Sequence, residues 1–208
     1  MKNYICINNK KIELTAEQVA QLMGESAKKR LADIEVGDTF MIGEYEFIVL
    51  EHDDTLDGDG VTAVILKDLY KDDVRFGENN NNYAESEVRD ICEEFAEKII
   101  ELVGDENLIE HSVDLTSDDG LDDYGILKNA GASLLTCDMY RRYVRMLDKY
   151  KPNKWWWLAT PWSTKTHGNE SWVKCVSPSG CISSNRYSIL NYGVRPFCIL
   201  KSDIFVSC

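Results

Sequence analysis

The stretch WWWLATPWS, residues 155–163, places four tryptophans within eight positions of the chain. A tryptophan side chain is large and costly to leave in water, so it organises either a core or a ligand platform. If the run is a strand, Trp155 and Trp157 share one face and Trp156 occupies the other, because alternate side chains point to opposite sides. At least one indole must then pack inward. We therefore expect this strand to be part of the core.

Strands and turns are predicted for the whole sequence after Pro152. The turn SPSG, residues 177–180, has proline at its second position and glycine at its end, which suits a type I turn. It predicts that WVKCV (172–176) and CISS (181–184) are antiparallel neighbours. The segment GVRPFCILKSDIF, 193–205, is expected to supply the last strand of the sheet.

Two helices and four strands are predicted between residues 35 and 150. Residues 79–104 are a polar tract that runs into an amphipathic helix. Residues 132–150 predict a short apolar strand and then a helix capped by Thr136 or Asp138. Alternating and continuous apolar runs predict two strands over 35–53 and a third over 61–70. The predicted fold is therefore α+β, with two main helices on an irregular, mainly antiparallel sheet.

The first 34 residues have a different pattern, which predicts a small appendage. Residues 3–14 alternate apolar and polar side chains around Asn8-Asn9-Lys10, as a short hairpin does. Thr15 and Gln18 then form a capping box, and apolar residues follow at helical spacing up to Ile34. We expect an appendage of residues 1–34 and a main domain of residues 35–208.

Composition excludes several classes of function. The chain has 208 residues, 28% of them charged, and a net charge of −13 that would repel nucleic acid and anionic membranes. Its first residues lack the apolar h-region of a signal peptide, so we expect none, and no segment approaches the roughly 18 apolar residues of a membrane helix. Its seven cysteines are scattered and include no CxxC, which indicates reduced thiols. We expect a cytoplasmic protein.

Two acidic segments are candidate cation sites. DDTLDGDG, residues 53–60, begins like an EF-hand loop, but the twelfth position is Val64 where a bidentate glutamate is required. An exposed turn is the favoured interpretation. Another acidic segment is turn-rich and resembles a long surface loop, where solvated charge is more common than a metal site. Its aspartates are Asp114, Asp118, Asp119, Asp122 and Asp123. We predict no metal and no cofactor.

An ordered set of motifs resembles a known family. NNYAESEVRDIC, SLLTCDMYRRY, WWWLATPWS, WVKCVSPSGCIS and YGVRPFCILK together resemble uncharacterised domains of Firmicutes and their phages, over roughly residues 35–203. That family is similar to the C-type-lectin-like fold of formylglycine-generating enzymes and of the variable proteins of diversity-generating retroelements. This chain departs from the pattern at 159–162, where ATPW replaces the family's arginine and Ser-Pro-Gly.

The resemblance implies structural roles for the tryptophan run, for Arg195 and for Pro196, and places binding residues in exposed loops. Arg195 is expected to be a buried donor to carbonyls or a carboxylate. The segment 182–192 offers the adaptable polar and aromatic side chains of binding loops; the alternative is a polar hairpin edge. The candidate ligand-binding residues are Trp162, His167, Asn169, Trp172, Ser184, Asn185, Arg186, Tyr187 and Asn191.

Three functions fit these features. The first is a non-enzymatic phage or prophage protein, located in the host-cell cytoplasm or associated with the virion, that binds a host protein or surface ligand through its C-terminal loops. The second is an intracellular inhibitor that sequesters a host defence protein or a small signalling molecule, which the acidity of the chain suits. The third is a thiol oxidase of the formylglycine-generating type using Cys175 and Cys181, although no catalytic constellation is visible. We predict a binding protein with no catalytic residues, and the sequence does not define its oligomeric state.

Overall fold

A computed structural model describes residues 3–7, 10–14, 28–53 and 60–208. Within these ranges the chain folds into two α-helices and four β-sheets, so the predicted α+β class is confirmed. The helices are α1 (Glu87–Val103) and α2 (Cys137–Leu147). The strands are β1 (Asn3–Ile7), β2 (Lys10–Leu14), β3 (Lys28–Arg30), β4 (Thr39–Ile42), β5 (Tyr45–Asp53), β6 (Val61–Leu66), β7 (Lys71–Val74), β8 (His111–Asp114), β9 (Ile126–Ala130), β10 (Ala132–Ser133), β11 (Trp156–Pro161), β12 (Trp172–Val176), β13 (Ile182–Arg186), β14 (Tyr192–Val194), β15 (Phe197–Lys201) and β16 (Phe205–Ser207).

The larger sheet has seven strands in the order β10-β15-β6-β5-β4-β16-β3, and its neighbouring strands are antiparallel. Its long strand β5 pairs Ile48 with Thr39 of β4 and with Ile65 of β6. The turn between β4 and β5 contains Gly43 at φ +57°, a left-handed conformation that glycine adopts without strain. The strands predicted over 35–53 and after residue 60 are confirmed.

The second sheet has five strands in the order β13-β12-β11-β14-β7, so the tryptophan strand β11 lies at its centre. All six residues of β11 are buried, as expected for a strand covered on both faces. The predicted hairpin is present, with Val176 of β12 opposite Ile182 of β13. One pairing is parallel, between Trp156 of β11 and Gly193 of β14. The remaining pairings are antiparallel.

The adjacent tryptophans of β11 pack into two different apolar clusters. Trp157 stacks on Tyr192 with ring centroids 4.3 Å apart, and its indole N–H donates to the carbonyl of Val74 at 3.1 Å. Trp156 lies on the opposite face and meets Tyr140 of α2 edge to face at 5.6 Å. Trp155 is half-buried and packs with the Trp157 cluster. The alternation expected for a strand is therefore observed.

The sequence predicted that the C-terminal segment supplies one last strand, and this prediction is wrong. It contributes β14 to the five-stranded sheet and β15 to the seven-stranded sheet, and the chain crosses between them at Arg195-Pro196. Arg195 is 1% exposed and donates to the carbonyls of Leu66, Lys67 and Tyr150. The arginine thus fixes the crossing by satisfying carbonyls that burial removes from water.

Both helices begin at side-chain caps. The hydroxyl of Ser86 accepts from the N–H of Arg89 at the start of α1, and the hydroxyl of Thr136 accepts from the N–H of Met139 at the start of α2. Thr136 is therefore the cap of the second helix, and Asp138 is not. The two helices pack into different apolar clusters of the core. α1 buries Val88, Ile91, Cys92, Phe95 and Ile99, while α2 buries Cys137, Tyr140, Tyr143 and Leu147.

The N-terminal hairpin of β1 and β2 is confirmed by its antiparallel register. The predicted capping box and most of the predicted helix lie in residues 15–27, outside the described residues. Where the described chain resumes, the helix prediction is wrong: β3 pairs with β16, and Leu31–Asp33 form a single 3-10 turn. Leu31 and Ile34 are buried in the main core. The predicted domain boundary after residue 34 stays a prediction.

Candidate functional site

Two loops meet beside the five-stranded sheet. The acidic loop, residues 115–125, connects β8 to β9, and the Trp162 loop, residues 162–171, connects β11 to β12. Sequence analysis interpreted the acidic loop as solvated charge. Its aspartates are exposed, and in addition the carboxylates of Asp119 and Asp123 accept hydrogen bonds from the Trp162 loop, because that loop supplies hydroxyl and imidazole donors at matching positions.

Asp119 makes the central contact between the loops. Its Oδ2 accepts from the hydroxyl of Ser163 at 2.7 Å and lies 2.9 Å from Nδ1 of His167. Hydrogen bonds from Ser117, His167 and Ser163, in that order of importance, lower the pKa of Asp119 to about 2. Asp123 accepts from the hydroxyl of Thr164, which lowers its pKa as well. The acidic loop therefore holds the Trp162 loop with ionised carboxylates.

Asp118 anchors the same loop to the sheet and to α2. It accepts from the ammonium of Lys174 at 3.1 Å and from the guanidinium of Arg141 at 3.1 Å. Lys174 lies on β12 and is largely buried. Burial opposes ionisation of Asp118, but the two cations outweigh it and lower the pKa of the carboxyl. The carboxylate of Asp118 thus neutralises the buried ammonium of Lys174, because a charge is stable in the interior only when it is paired.

Asn81 fixes the two ends of the Trp162 loop. It is fully buried, and its amide donates to the carbonyls of Ser163 and Trp172, both at 2.8 Å. Its Oδ1 accepts from the hydroxyl of Tyr124 in the acidic loop at 2.7 Å. Sequence analysis missed this residue, because nothing in the run Asn79–Asn82 distinguishes the third asparagine from its neighbours.

Trp162 and Trp172 are exposed on this fixed framework. Their side chains are 42% and 37% exposed, and the N–H of Trp162 donates to the carbonyl of Trp172 at 2.9 Å. The backbone between them is held by Asn81 and by the acidic loop. Two large apolar side chains, on residues joined by a backbone hydrogen bond, are thus in contact with solvent.

Polar residues of β13 extend this exposed area. Arg186 pairs with Trp172, and Ser184 pairs with Lys174, so the four side chains share one face of the sheet. β13 is the edge strand in the described sheet. We define the recognition surface by six of the predicted residues: Trp162, His167, Asn169, Trp172, Ser184 and Arg186.

The other three predicted ligand-binding residues are directed elsewhere or stand apart. Asn185 pairs with Val173 on the opposite face, and its amide donates to the hydroxyl of Tyr192 at 2.8 Å. Tyr187 is half-buried against the core, and its carbonyl accepts from the N–H of Phe76. Asn191 is exposed just before β14. Asn185 and Tyr187 therefore support the framework, and Asn191 lies outside the six-residue surface.

The cysteines named for thiol chemistry lie in different environments. Cys175 is buried, and burial raises the pKa of its thiol to about 12, whereas Cys181 is exposed in the turn before β13. A nucleophilic or metal-binding cysteine needs a lowered pKa. Within residues 28–53 and 60–208, no three histidine, cysteine, aspartate or glutamate side chains cluster as a metal site would require. Residues 54–59 of the EF-hand-like segment lie outside the described chain.

Comparison with known proteins gives one similarity. A family described as a domain of unknown function (DUF6273) matches residues 129–202, from the end of β9 to just beyond β15. The matched segment contains all six residues of the recognition surface. Neither curated proteins nor solved structures gave a match to the chain. No helix among the described residues is long and apolar enough to cross a membrane.

Proposed function

We propose that the chain is a non-enzymatic binding protein with a C-type-lectin-like fold, encoded by a phage or prophage, that recognises a host ligand or protein through the recognition surface. The observation that carries this proposal is the exposure of Trp162 and Trp172, two residues whose backbones are hydrogen-bonded to each other and held by Asn81. A tryptophan offers a large contact area at low cost in side-chain entropy, and binding sites are enriched in it.

The rigidity of the surface supports the same function. Asn81 and the acidic loop hold the Trp162 loop before any ligand arrives. A binding site that is already ordered loses less conformational entropy on association than a mobile one, so more of the contact energy becomes affinity. The polar side chains of Ser184 and Arg186 beside the tryptophans add the hydrogen-bonding capacity that selects one partner.

The irregularity of the five-stranded sheet supports the proposal of a C-type-lectin-like fold. The five-stranded sheet is irregular, with register shifts between β11 and β12 and between β14 and β7. Irregular sheets whose long loops carry the binding residues suit the C-type-lectin-like interpretation made from the sequence motifs. The family match covers the part of the chain that forms the surface, but its description assigns no activity.

A binding experiment tests the proposal. The full chain and single variants would be immobilised and exposed to the envelope and cytosolic fractions of the host bacterium. We expect capture of an envelope component by the wild type, with at least tenfold weaker capture by Trp162→Ala and Trp172→Ala. Phe205→Ala is the matched control, because Phe205 is 66% exposed on a strand of the other sheet.

Unchanged capture by both tryptophan variants, with melting temperatures equal to that of the wild type, would refute the surface. A cytosolic partner captured through the same tryptophans would instead favour the second candidate, an intracellular inhibitor. That candidate is supported by the net charge of −13, which complements a basic partner.

A further inference from the structure

A cleft that shares no residue with the recognition surface has no role in the function proposed above. It encloses about 490 Å³, within the range of about 300–1,000 Å³ typical of small-molecule sites. It is bounded by the β4–β5 hairpin and by the segment between β6 and β7. The lining residues are Met41, Glu44, Tyr45, Glu46, Leu66, Asp68, Leu69 and Tyr70. We call it the Tyr45–Tyr70 cleft.

Its two tyrosines are held in place from behind. The rings of Tyr45 and Tyr70 meet at an edge-to-face angle with centroids 6.2 Å apart. Both also contact Phe95 of α1, at 5.2 Å and 4.8 Å. Since Phe95 is buried in the core, the aromatic wall is formed before any ligand binds.

The charge around this wall is negative. The lining contains Glu44, Glu46 and Asp68, and a second hollow of about 350 Å³ shares Glu44 and Tyr45 and adds Glu101 and one cation, Lys98. Lys67 neutralises Glu46 through a hydrogen bond of 2.8 Å. Within the described chain, Glu44, Asp68 and Glu101 have no ion-pair partner, although Asp68 lies near the charges of Lys67 and the buried Arg195.

One cation already occupies an aromatic face at the rim. The ammonium of Lys98 lies 5.0 Å from the centroid of the Tyr70 ring, and it donates to Glu94 at 3.0 Å. Such a position is favourable because the face of an aromatic ring is electronegative. The apolar side chains of Leu66, Leu69 and Met41 lie beside the rings and carboxylates. The cleft thus combines surfaces for methylene groups with acceptors for ammonium groups.

We propose that the Tyr45–Tyr70 cleft binds a small aliphatic polyamine. The methylene chain packs on the leucines and tyrosine rings, while the ammonium groups pair with Glu44 and Asp68 in the cleft and with Glu101 of the adjoining hollow. A ligand with more than one ammonium group uses more than one of these carboxylates, so it binds more tightly than a monoamine. A cleft of this volume suits a free small molecule.

Isothermal titration calorimetry of the full chain with spermidine at 150 mM salt tests this site. We expect saturable binding of one equivalent, at least tenfold weaker binding in the double variant Glu44→Gln, Asp68→Asn, and at least tenfold weaker binding of butylamine. The matched control is Glu97→Gln, Glu110→Gln, which changes the net charge equally at exposed positions outside the cleft. Its affinity for spermidine should stay within twofold of the wild type.

Three results would overturn the site: no binding by the wild type, equal losses in the two double variants, or binding of a tetralysine peptide without binding of spermidine. The second would indicate general attraction to an acidic protein, and the third a peptide-binding groove. None of these results bears on the recognition surface, which lies on different loops and strands.

Discussion

The side-chain amide of Asn81 donates to the backbone carbonyl of Trp172 at 2.8 Å, across 91 positions of the sequence. The same amide reaches the carbonyl of Ser163, so one buried side chain closes the Trp162 loop at both ends. The backbone at the exposed Trp162 and Trp172 is therefore held by a residue that is itself fully buried.

Replacing Asn81 should therefore destabilise the protein. Asn81→Ala leaves the buried carbonyl of Ser163 and the hydroxyl of Tyr124 without this partner and removes one of two donors to the carbonyl of Trp172, so we expect a loss of about 2–4 kcal/mol in the free energy of unfolding. Asn81→Asp should cost at least as much, because a carboxylate offers acceptors where donors are needed. Urea denaturation measures both. Asn79→Ala, at an exposed position of the same run, is the control and should change stability by less than about 0.5 kcal/mol.

Arg195 gives a second prediction about stability. Its guanidinium donates to three carbonyls and lies 5.3 Å from the ring of Trp156, in surroundings whose burial lowers its pKa to about 10. A lysine keeps the charge but lacks the planar set of donors, so Arg195→Lys should cost about 2–4 kcal/mol. Thermal and urea unfolding provide the measurement. If Arg195→Lys proved as stable as the exposed control Arg145→Lys, the passage of the chain between the two sheets would not depend on the hydrogen bonds of Arg195.

The acidic loop predicts a dependence on pH. The folded state lowers the pKa of Asp119 from an ordinary 3.8 to about 2, so its contribution to stability is complete above about pH 4 and is lost as the pH falls towards 2. Because its side chain is 37% exposed, screening by water keeps this contribution small. Carboxyl-carbon NMR titration should find a midpoint near 2. The midpoint should rise in Ser117→Ala and in Ser163→Ala but not in Ser112→Ala; an unchanged midpoint in the first two would contradict the assigned donors.

Thiol reactivity should follow burial. Cys181 and Cys208 are exposed, while Cys92, Cys137, Cys175 and Cys198 are buried. Burial raises the pKa values of all four buried thiols, most clearly in the apolar core around Cys198, so they are protonated at neutral pH. In a Cys6→Ser background, an aromatic disulfide reagent should modify two thiols rapidly in the native protein and all six after unfolding. Rapid modification of a third native thiol would show that a buried cysteine is accessible.

The regular parts of the fold followed from local sequence pattern. Period-two alternation predicted that Trp156 and Trp157 face opposite sides, and Thr136 carries a capping signal that acts within one helical turn. The turn at 177–180 set the register of its own hairpin. These features depend on residues that are close along the chain, where spacing alone fixes the geometry.

The sequence by itself determined which segments form strands and helices and which way their side chains face. It also determined which residues are candidates for a binding surface. The tertiary structure decided that β14 and β15 belong to different sheets, that Asn81 alone among four asparagines is buried, and that Asp119 meets Ser163 and His167. It also divided the predicted binding residues, turning Asn185 and Tyr187 away from Trp172. Such contacts join positions 40 to 90 residues apart, and they depend on how packed sheets place their loops rather than on any pattern within one segment.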